Sequence, residues 1–218
     1  MKFNDITLEL KSGRKIVKNL TFTLNDNDKL AIIGEEGNGK STLLKYVYEE
    51  KLIESYCYYS GVKDISKEQI GYLEQSLSAF WYSYGALDYI ITPNVGEDPE
   101  YELYNQLYKI ETLFKTYNLN LSILSENQII QTLSGGEKIK LQLIKILIRE
   151  PNLILLDEPT NDIDLDTILL LENFIKTTST PIIFVSHDEE LLSNTANIIL
   201  HLEQIKRKTE MKFTYLKT

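Results

Sequence analysis

The residues whose types and spacing most clearly suit a chemical function form a glycine-rich stretch near the N-terminus. Residues 34–41 read Gly-Glu-Glu-Gly-Asn-Gly-Lys-Ser, directly after the apolar run Leu30-Ala31-Ile32-Ile33. Glycines and a Lys-Ser pair at this spacing, between a strand and a helix, are typical of loops that hold nucleotide phosphates. Glycines let backbone N–H groups approach phosphate oxygens, and the start of the following helix adds further donors and partial positive charge.

The side chains of this loop indicate a triphosphate with a metal ion. Lys40 supplies a positive charge between the β- and γ-phosphates, and the Ser41 hydroxyl is placed to ligate Mg²⁺. Glu35 and Glu36 would repel a polyanion, so only their backbone groups are assigned a role. The predicted ligands are ATP and Mg²⁺, and the residues of the predicted phosphate loop are Gly34, Glu35, Glu36, Gly37, Asn38, Gly39, Lys40, Ser41 and Thr42.

A second candidate site is a pair of carboxylates at the end of an apolar strand. Asp157 and Glu158 directly follow Leu153-Ile154-Leu155-Leu156. Ligands of open α/β sheets bind beyond the carboxyl ends of the strands, so Asp157 is expected to hold Mg²⁺ and Glu158 to polarise an attacking water. Alone, such a pair is more simply interpreted as solvent-facing acids. Together with the phosphate loop, the functional interpretation is favoured.

The elements around these residues alternate between strands and helices. Near-continuous apolar strands separated by helices predict an α/β fold with a mostly parallel sheet, preceded by an antiparallel N-terminal β subdomain. Residues 53–60 and 69–74 are predicted to be two further strands.

Residues 76–132 are rich in Tyr, Leu and Asn, and helical spacing over 84–91 and 101–117 predicts an inserted helical subdomain. We expect one domain, residues 1–218, whose core is formed by residues 1–75 and 133–218.

Composition limits the remaining possibilities. The net charge of -9 opposes binding of nucleic acid by bulk electrostatics. Cys57 is the only cysteine, which suits a reducing cytosol, and no apolar run is long enough to span a membrane. Residues 203–218 form a locally basic tail, which is interpreted as an edge strand or as the start of a linker.

The remaining motifs resemble those of ATP-binding cassette (ABC) ATPases, in the order of that family. The motif Leu133-Ser134-Gly135-Gly136-Glu137 begins a helix, whose N-terminus is a second place that could accept an anion. One nucleotide cannot use this helix start in addition to the phosphate loop, which suggests that it serves the nucleotide of another molecule. The ordered motifs are the phosphate loop, Gln75 after a short strand, the motif at 133–137, the acidic strand end, Asp-Glu-Pro-Thr-Asn-Asp-Ile-Asp at 157–164, and Val-Ser-His-Asp at 185–188.

The resemblance implies catalytic roles. Gln75 would contact Mg²⁺ and the attacking water, and would report the nucleotide state to the helical subdomain. Glu158 would be the catalytic base. His187 would contact the γ-phosphate and hold the transition state.

The resemblance also implies a partner. Ser134 and Gly136, within the motif of Ser134, Gly135, Gly136 and Glu137, would cap the γ-phosphate bound by a second cassette. Asp164 would link the two active sites. The family usually places an aromatic residue near positions 10–12 to stack on adenine, but the segment here is Leu10-Lys11-Ser12-Gly13. Phe3 or a tyrosine from elsewhere is expected to substitute.

Three details favour the F subfamily, soluble proteins with two cassettes in one chain that act on ribosomes. They are Gly-Tyr-Leu-Glu-Gln around Gln75, Asn161 after Asp-Glu-Pro-Thr, and the sequence after His187. The chain would then be the first cassette of a longer cytoplasmic protein. The alternatives are the ATP-binding subunit of a membrane transporter, peripheral at the inner face of the membrane beside a permease, and a nucleotide-gated interaction module with negligible turnover.

Overall fold

The computed structural model describes residues 1–125, 128–204 and 211–217. Strands and helices alternate along these ranges as the sequence predicts. The strands are β1 (Lys2–Leu10), β2 (Lys15–Thr23), β3 (Lys29–Ile33), β4 (Cys57–Lys63), β5 (Ile70–Leu73), β6 (Leu153–Asp157), β7 (Ile182–Val185), β8 (Ile198–Gln204) and β9 (Met211–Lys217). The α-helices are α1 (Lys40–Tyr48), α2 (Ala86–Ile91), α3 (Leu107–Thr116), α4 (Gly135–Leu147), α5 (Leu165–Thr177) and α6 (Glu189–Thr195).

The chain divides into two compact units, and the first contains both sheets apart from Leu73, the last residue of β5. It comprises Met1–Tyr72, Pro151–Pro159 and Glu172–Thr218. One sheet has the order β2-β1-β4 with antiparallel pairing, and the other has the order β5-β6-β7-β3-β8-β9. The pairs β6-β7, β7-β3 and β3-β8 are parallel, whereas β8-β9 is antiparallel. The predicted α/β class, with a mostly parallel sheet and an antiparallel N-terminal sheet, is confirmed.

The strands β6 and β7 are buried along their whole length, because apolar side chains leave both faces of the sheet. Helix α1 contributes Leu43, Leu44 and Val47 to the same core. The strand register aligns Ile32 of β3 with Val185 of β7, and Val185 with Asp157 of β6. The carboxyl ends of the three strands are therefore level.

The second unit is mostly helical. It comprises Leu73–Glu150 and Thr160–Leu171, and α2, α3 and α4 enclose a separate core that includes Trp81, Ile110 and Leu141. One expected continuous helix, residues 101–117, is interrupted. Tyr101–Gln106 is a 3-10 helix, in which the backbone makes i to i+3 hydrogen bonds, and α3 begins only at Leu107.

One boundary differs from the sequence prediction, and one prediction for the C-terminal tail agrees with the structure. The strand expected over residues 53–60 begins only at Cys57, because the N–H groups of Tyr56 and Cys57 both donate to the Ile53 carbonyl and close a turn. The basic tail contains β9, which pairs with β8, in agreement with its interpretation as an edge strand. Residues 205–210 and 218 of that tail lie outside the described residues. Across the described ranges, no helix has the length and apolar character that a membrane span requires.

Candidate nucleotide site

The phosphate loop connects β3 to α1 and depends on glycine at its two ends. Gly34 has φ 148°, and a Cβ there would lie 2.4 Å from the Leu202 carbonyl oxygen of β8. Gly39 has φ 90°, and a Cβ there would lie 2.5 Å from Cγ2 of Ile16 in β2. Side chains at either position would therefore clash, so the loop runs in close contact with two strands.

Polar contacts hold the middle of the loop. The Asn38 side chain is buried, and its Nδ2 donates to the Leu202 carbonyl at 3.0 Å. Arg14 Nη2, just before β2, donates to the Gly37 carbonyl at 2.6 Å. Sequence reasoning gave Asn38 only a loop position and missed Arg14, because both contacts join residues far apart in the chain.

Lys40 lies at the start of α1 with its ammonium folded back over the loop. Its Nζ donates to the carbonyls of Gly34 at 2.9 Å and Glu35 at 3.2 Å, and the residue is only 6% exposed. A phosphate would give this buried cation an anionic partner in place of two neutral carbonyls. Glu35 and Glu36 lie on the loop surface, and both are exposed.

Asp157 connects the phosphate loop to the end of β6. Its Oδ1 accepts a hydrogen bond from Ser41 Oγ at 2.9 Å, and its Oδ2 accepts one from Tyr72 Oη at 3.2 Å. Burial raises the pKa of the Asp157 carboxyl above its ordinary value, and these two hydrogen bonds partly offset the effect. The hard oxygens of Ser41 and Asp157 fit Mg²⁺. Sequence reasoning missed Tyr72, although a hydroxyl in a short apolar strand that precedes a predicted site residue is a signal.

Glu158 has an unusual backbone conformation and an unsatisfied oxygen. Its φ of 52° lies in the left-handed region, which non-glycine residues rarely adopt. Its N–H donates to the Val185 carbonyl at 3.0 Å, which fixes it against the end of β7. Oε1 lies 3.2 Å from Nε2 of His187, whereas Oε2 is buried without a hydrogen-bond partner among the described residues. A strained backbone together with a buried, unpaired carboxylate oxygen is characteristic of functional sites.

The remaining predicted residues belong to the second unit. Ser134 caps α4 in a reciprocal pair, in which Glu137 N–H donates to Ser134 Oγ and Ser134 N–H donates to Glu137 Oε2. A Cβ on Gly136 would lie 2.5 Å from Asp164 Oδ2, and one on Gly135 would lie 2.8 Å from the Asp162 carbonyl oxygen. The start of α4 and the segment around Asp164 therefore pack closely together.

Asp164 and Gln75 complete the set. Hydrogen bonds from the Thr167 backbone and hydroxyl hold the Asp164 carboxylate and lower its pKa. Gln75 is exposed and lies just after β5. Thus the first unit brings together the phosphate loop, Asp157, Glu158 and His187, and the second brings together the α4 start and Asp164.

Comparison with known proteins identifies the class to which this fold and these motifs belong. The family model described as "ABC transporter" matches residues 17–161. The chain therefore belongs to the ABC transporter family and is an ATPase domain of that family. The prediction made from the ordered motifs is confirmed.

The similar curated proteins agree with the resemblance to the F subfamily. The ATP-binding protein Uup of Buchnera aphidicola subsp. Acyrthosiphon pisum is 35% identical over 200 residues, covering 89% of this chain and 31% of that protein. Uup of Escherichia coli is 29% identical over 221 residues, covering 91% and 35%. Elongation factor 3 of Pneumocystis carinii is 32% identical over 205 residues, covering 93% and 18%. The chain thus spans about a third or less of the length of these relatives.

Solved structures share the fold. A nucleotide-free ATP-binding cassette from an ABC transporter superposes with a TM-score of 0.71 at 17% identity, covering 100% of this chain and 92% of that one. The dimeric post-hydrolysis structure of the cassette MJ0796, bound to ADP and Pi, gives a TM-score of 0.70 at 20% identity, covering 99% and 97%. At these identities the likeness concerns the fold alone.

The two ends of the phosphate loop lead to a test of its packing. Gly34→Ala should lower the free energy of unfolding by about 2–4 kcal/mol, because the new Cβ meets a strand carbonyl that cannot move and the backbone angle favours glycine. Gly37→Ala is the matched control, since Gly37 has φ 75° with nothing within 4 Å of a Cβ. It should cost only about 1 kcal/mol, mostly from the left-handed backbone. Urea denaturation measures both, and equal losses would contradict this packing.

Tyr72 leads to a test of the metal site. Tyr72→Phe removes one of the two hydrogen bonds that orient the Asp157 carboxylate and favour its ionised form, so metal affinity should fall about fivefold to tenfold. Mn²⁺ binding in the presence of ATP, followed by electron paramagnetic resonance, measures this directly. Tyr58→Phe, a change at an exposed tyrosine of β4, is the control. Unaltered Mn²⁺ affinity in Tyr72→Phe would show that the hydroxyl has no part in the site.

Proposed function

We propose that this chain binds MgATP and hydrolyses it at a composite site that is completed by a second cassette. The observation that carries the proposal is Glu158, whose Oε2 is buried and has no hydrogen-bond partner in the part of the chain that the structure describes, while Oε1 lies 3.2 Å from His187 Nε2. Glu158 directly follows Asp157, which hydrogen-bonds Ser41 of the phosphate loop. A base, a metal ligand and a phosphate cradle thus adjoin within one unit.

The chain's own groups divide the work of phosphoryl transfer. Backbone N–H groups of the loop and the Lys40 ammonium hold the phosphates, and Ser41 and Asp157 hold Mg²⁺. When bound, Mg²⁺ neutralises charge on the β- and γ-phosphates. Glu158 accepts a proton from water as the water oxygen bonds to the γ-phosphorus, and the bond from that phosphorus to the β–γ bridging oxygen breaks to release ADP.

The other predicted residues are assigned to positioning. His187 orients the Glu158 carboxylate and donates to the γ-phosphate, and Gln75 contacts the attacking water and Mg²⁺. The start of α4 is proposed to cap the γ-phosphate of a second cassette through Ser134 and the free N–H groups of its first turn. Asp164, which packs against Gly136, would transmit the state of one site to the other.

For the wider process we propose a two-cassette, F-type protein of the cytoplasm that works with the ribosome. The names of the relatives support this: Uup proteins and an elongation factor, each much longer than this chain. In this proposal residues 1–75 and 133–218 form the cassette core, residues 76–132 form its helical subdomain, and the tail leads toward the second cassette. The ATP-binding subunit of a transporter is the second candidate, since the matching solved structure of a nucleotide-free cassette comes from an ABC transporter.

Two substitutions test ATP binding and ATP hydrolysis separately, one at Lys40 of the phosphate loop and one at the proposed catalytic base Glu158. Lys40→Ala should weaken ATP binding at least about a hundredfold, because a charge-assisted contact to the phosphates is lost. Glu158→Gln should keep ATP binding and reduce phosphate release at least about a hundredfold, because the base is removed. Isothermal titration calorimetry and a phosphate-release assay measure these effects.

The controls for these substitutions use exposed residues of the same types. Lys51→Ala and Glu189→Gln should leave both measurements at the wild-type level, since both side chains face solvent. ATP affinity unchanged by Lys40→Ala would remove the binding proposal. Wild-type phosphate release by Glu158→Gln would assign the base to another residue.

A mixing experiment tests whether the site is shared. Lys40→Ala disables the phosphate loop, and Ser134→Arg places a bulky side chain at the exposed start of α4. Each variant alone should be inactive, but an equal mixture should recover about a quarter of wild-type phosphate release. This fraction follows because half of the pairs are mixed and each mixed pair has one intact site of two. A mixture with no activity, at concentrations where the wild type is active, would argue against a composite site.

A further inference from the structure

Helix α1 is connected to the end of β6 at both of its ends. At its start, Ser41 Oγ donates to Oδ1 of Asp157 at 2.9 Å. At its other end, the ring of Tyr48, the last residue of α1, packs against the ring of Tyr72 in β5, with centroids 5.1 Å apart and planes inclined at 44°. Tyr72 Oη in turn donates to Oδ2 of Asp157 at 3.2 Å. Each oxygen of this carboxylate is therefore connected to a different end of one helix.

The Tyr48 ring is fixed by two lysines. The largely buried ammonium of Lys63 in β4 donates to the last three carbonyls of α1, those of residues 46–48, at 3.0, 2.7 and 3.4 Å. Carbonyls in the last turn of a helix lack partners within the helix, so this lysine holds the backbone of the helix end. The Lys67 ammonium lies 5.5 Å from the centre of the Tyr48 ring, a distance suited to a cation–π contact.

Lys67 is itself anchored, and it lies just before the strand that carries Tyr72. Its Nζ is 3.1 Å from Oε2 of Glu49, the residue after α1. Lys67 begins the short 3-10 helix Lys67–Gln69, and β5 starts at the next residue, Ile70. One short segment therefore supplies both the cation beside the first ring and the tyrosine that carries the second ring.

The contact with Tyr48 restricts where the Tyr72 hydroxyl can point. A tyrosine side chain rotates about two bonds, so the groups that pack against its ring determine the position of its hydroxyl. Tyr72 is only half-buried, and its ring packs against that of Tyr48. Hydrogen bonds to a metal-binding carboxylate determine how its oxygens face the metal ion. A change at Tyr48 is therefore expected to reach Asp157 through Tyr72.

We propose that Tyr48 is a positioning residue for the metal site, acting through Tyr72 on the orientation of the Asp157 carboxylate. Lys67 holds the Tyr48 ring in place. The inference rests on the proposed function, which assigns Mg²⁺ to Ser41 and Asp157, and deepens it by naming residues that set the metal affinity from outside the site. Helix α1 has nine residues and is about 13 Å long, so a change at its far end leaves the phosphate loop itself intact.

A double-substitution cycle tests this route. Tyr48→Leu removes the ring, Tyr72→Phe removes the hydroxyl, and a third variant carries both changes. Two measurements are made on the full chain: Mn²⁺ affinity in the presence of ATP, by electron paramagnetic resonance, and ATP affinity in EDTA, by calorimetry. The matched control is Tyr59→Leu. Its ring also packs against α1, at Tyr46 with centroids 5.7 Å apart, but its hydroxyl donates to Glu54.

Positioning through Tyr72 predicts a specific pattern. Tyr48→Leu should weaken Mn²⁺ binding about threefold and change metal-free ATP binding less than about 1.5-fold. Tyr48→Phe, which keeps the ring, and the control Tyr59→Leu should both match the wild type. In Tyr72→Phe, which already lacks the hydroxyl, adding Tyr48→Leu should cause no further loss of Mn²⁺ affinity.

Lys67 offers the same cycle without a change to a ring that packs on the core. Lys67→Met should weaken Mn²⁺ binding about twofold, and Lys67→Arg should restore it, because the cation beside Tyr48 returns. The Lys67→Met loss should also disappear in the Tyr72→Phe background. This cycle decides the question if Tyr48→Leu does not fold, which thermal melting reports.

Other outcomes overturn the inference. Additive losses of Mn²⁺ affinity in the double variant would show that Tyr48 acts by a route other than Tyr72. Equal weakening of Mn²⁺ and metal-free ATP binding by Tyr48→Leu would assign the ring to support of the whole helix. Unchanged Mn²⁺ affinity in Tyr48→Leu would remove its role. Asp157→Asn with unchanged Mn²⁺ affinity would instead remove the proposed metal site itself, so the two failures are distinguishable.

Discussion

The hydrogen bond from Ser41 to Asp157 links the two halves of the candidate site across 116 positions of sequence. It forms because parallel pairing brings the ends of β3, β7 and β6 to the same level, with Ile32, Val185 and Asp157 in one row. The phosphate loop follows β3, the acidic pair lies at the end of β6, and His187 lies two residues after β7. Their mutual positions are therefore set by backbone register and by the burial of the strands on both faces.

This arrangement places Asp157 and Glu158 in energetically unfavourable environments, which the stability of the surrounding fold offsets. Burial disfavours the ionised form of Asp157. Glu158 adopts a left-handed backbone, and one of its carboxylate oxygens has no hydrogen-bond partner within residues 1–125, 128–204 and 211–217. Each of these features opposes stability on its own. Rigid strands on both sides and the buried core of the first unit hold them in place. In the proposed function, a metal ion at Asp157 and a water at Glu158 would supply further partners to these groups.

Local pattern was enough to predict the parts of the site that are contiguous in sequence. The phosphate loop, the acids at the end of β6 and the start of α4 could all be recognised because a strand or helix boundary and the functional residues fall within a few positions. Their positions in the strand-helix order were also predictable, since apolar runs mark buried parallel strands. The limits of individual elements depended on turns such as the one at Ile53, which delays β4.

The contacts that sequence reasoning missed join residues that are far apart in the chain. Tyr72 reaches Asp157, Arg14 reaches Gly37, and Asn38 reaches Leu202. None belongs to a short motif that specifies its partner, because the partner is chosen by sheet order and hairpin placement. Phe3 shows the opposite case, because its ring is of a type suited to stacking on a nucleotide base but is buried in the core, where it stacks on Phe22. Burial decided its role, and burial is set by the whole fold.

The carbonyl of Leu202 gives the phosphate loop a mechanical connection to the C-terminal hairpin. It accepts the Asn38 amide and closes the space beside Gly34, while the same β8 strand pairs along its length with β9. A force or displacement applied to β9 would be transmitted through one strand to the wall of the loop. In a longer chain, a segment that follows β9 and pulls on it would therefore change the position of the Leu202 carbonyl, and with it the shape of the phosphate loop.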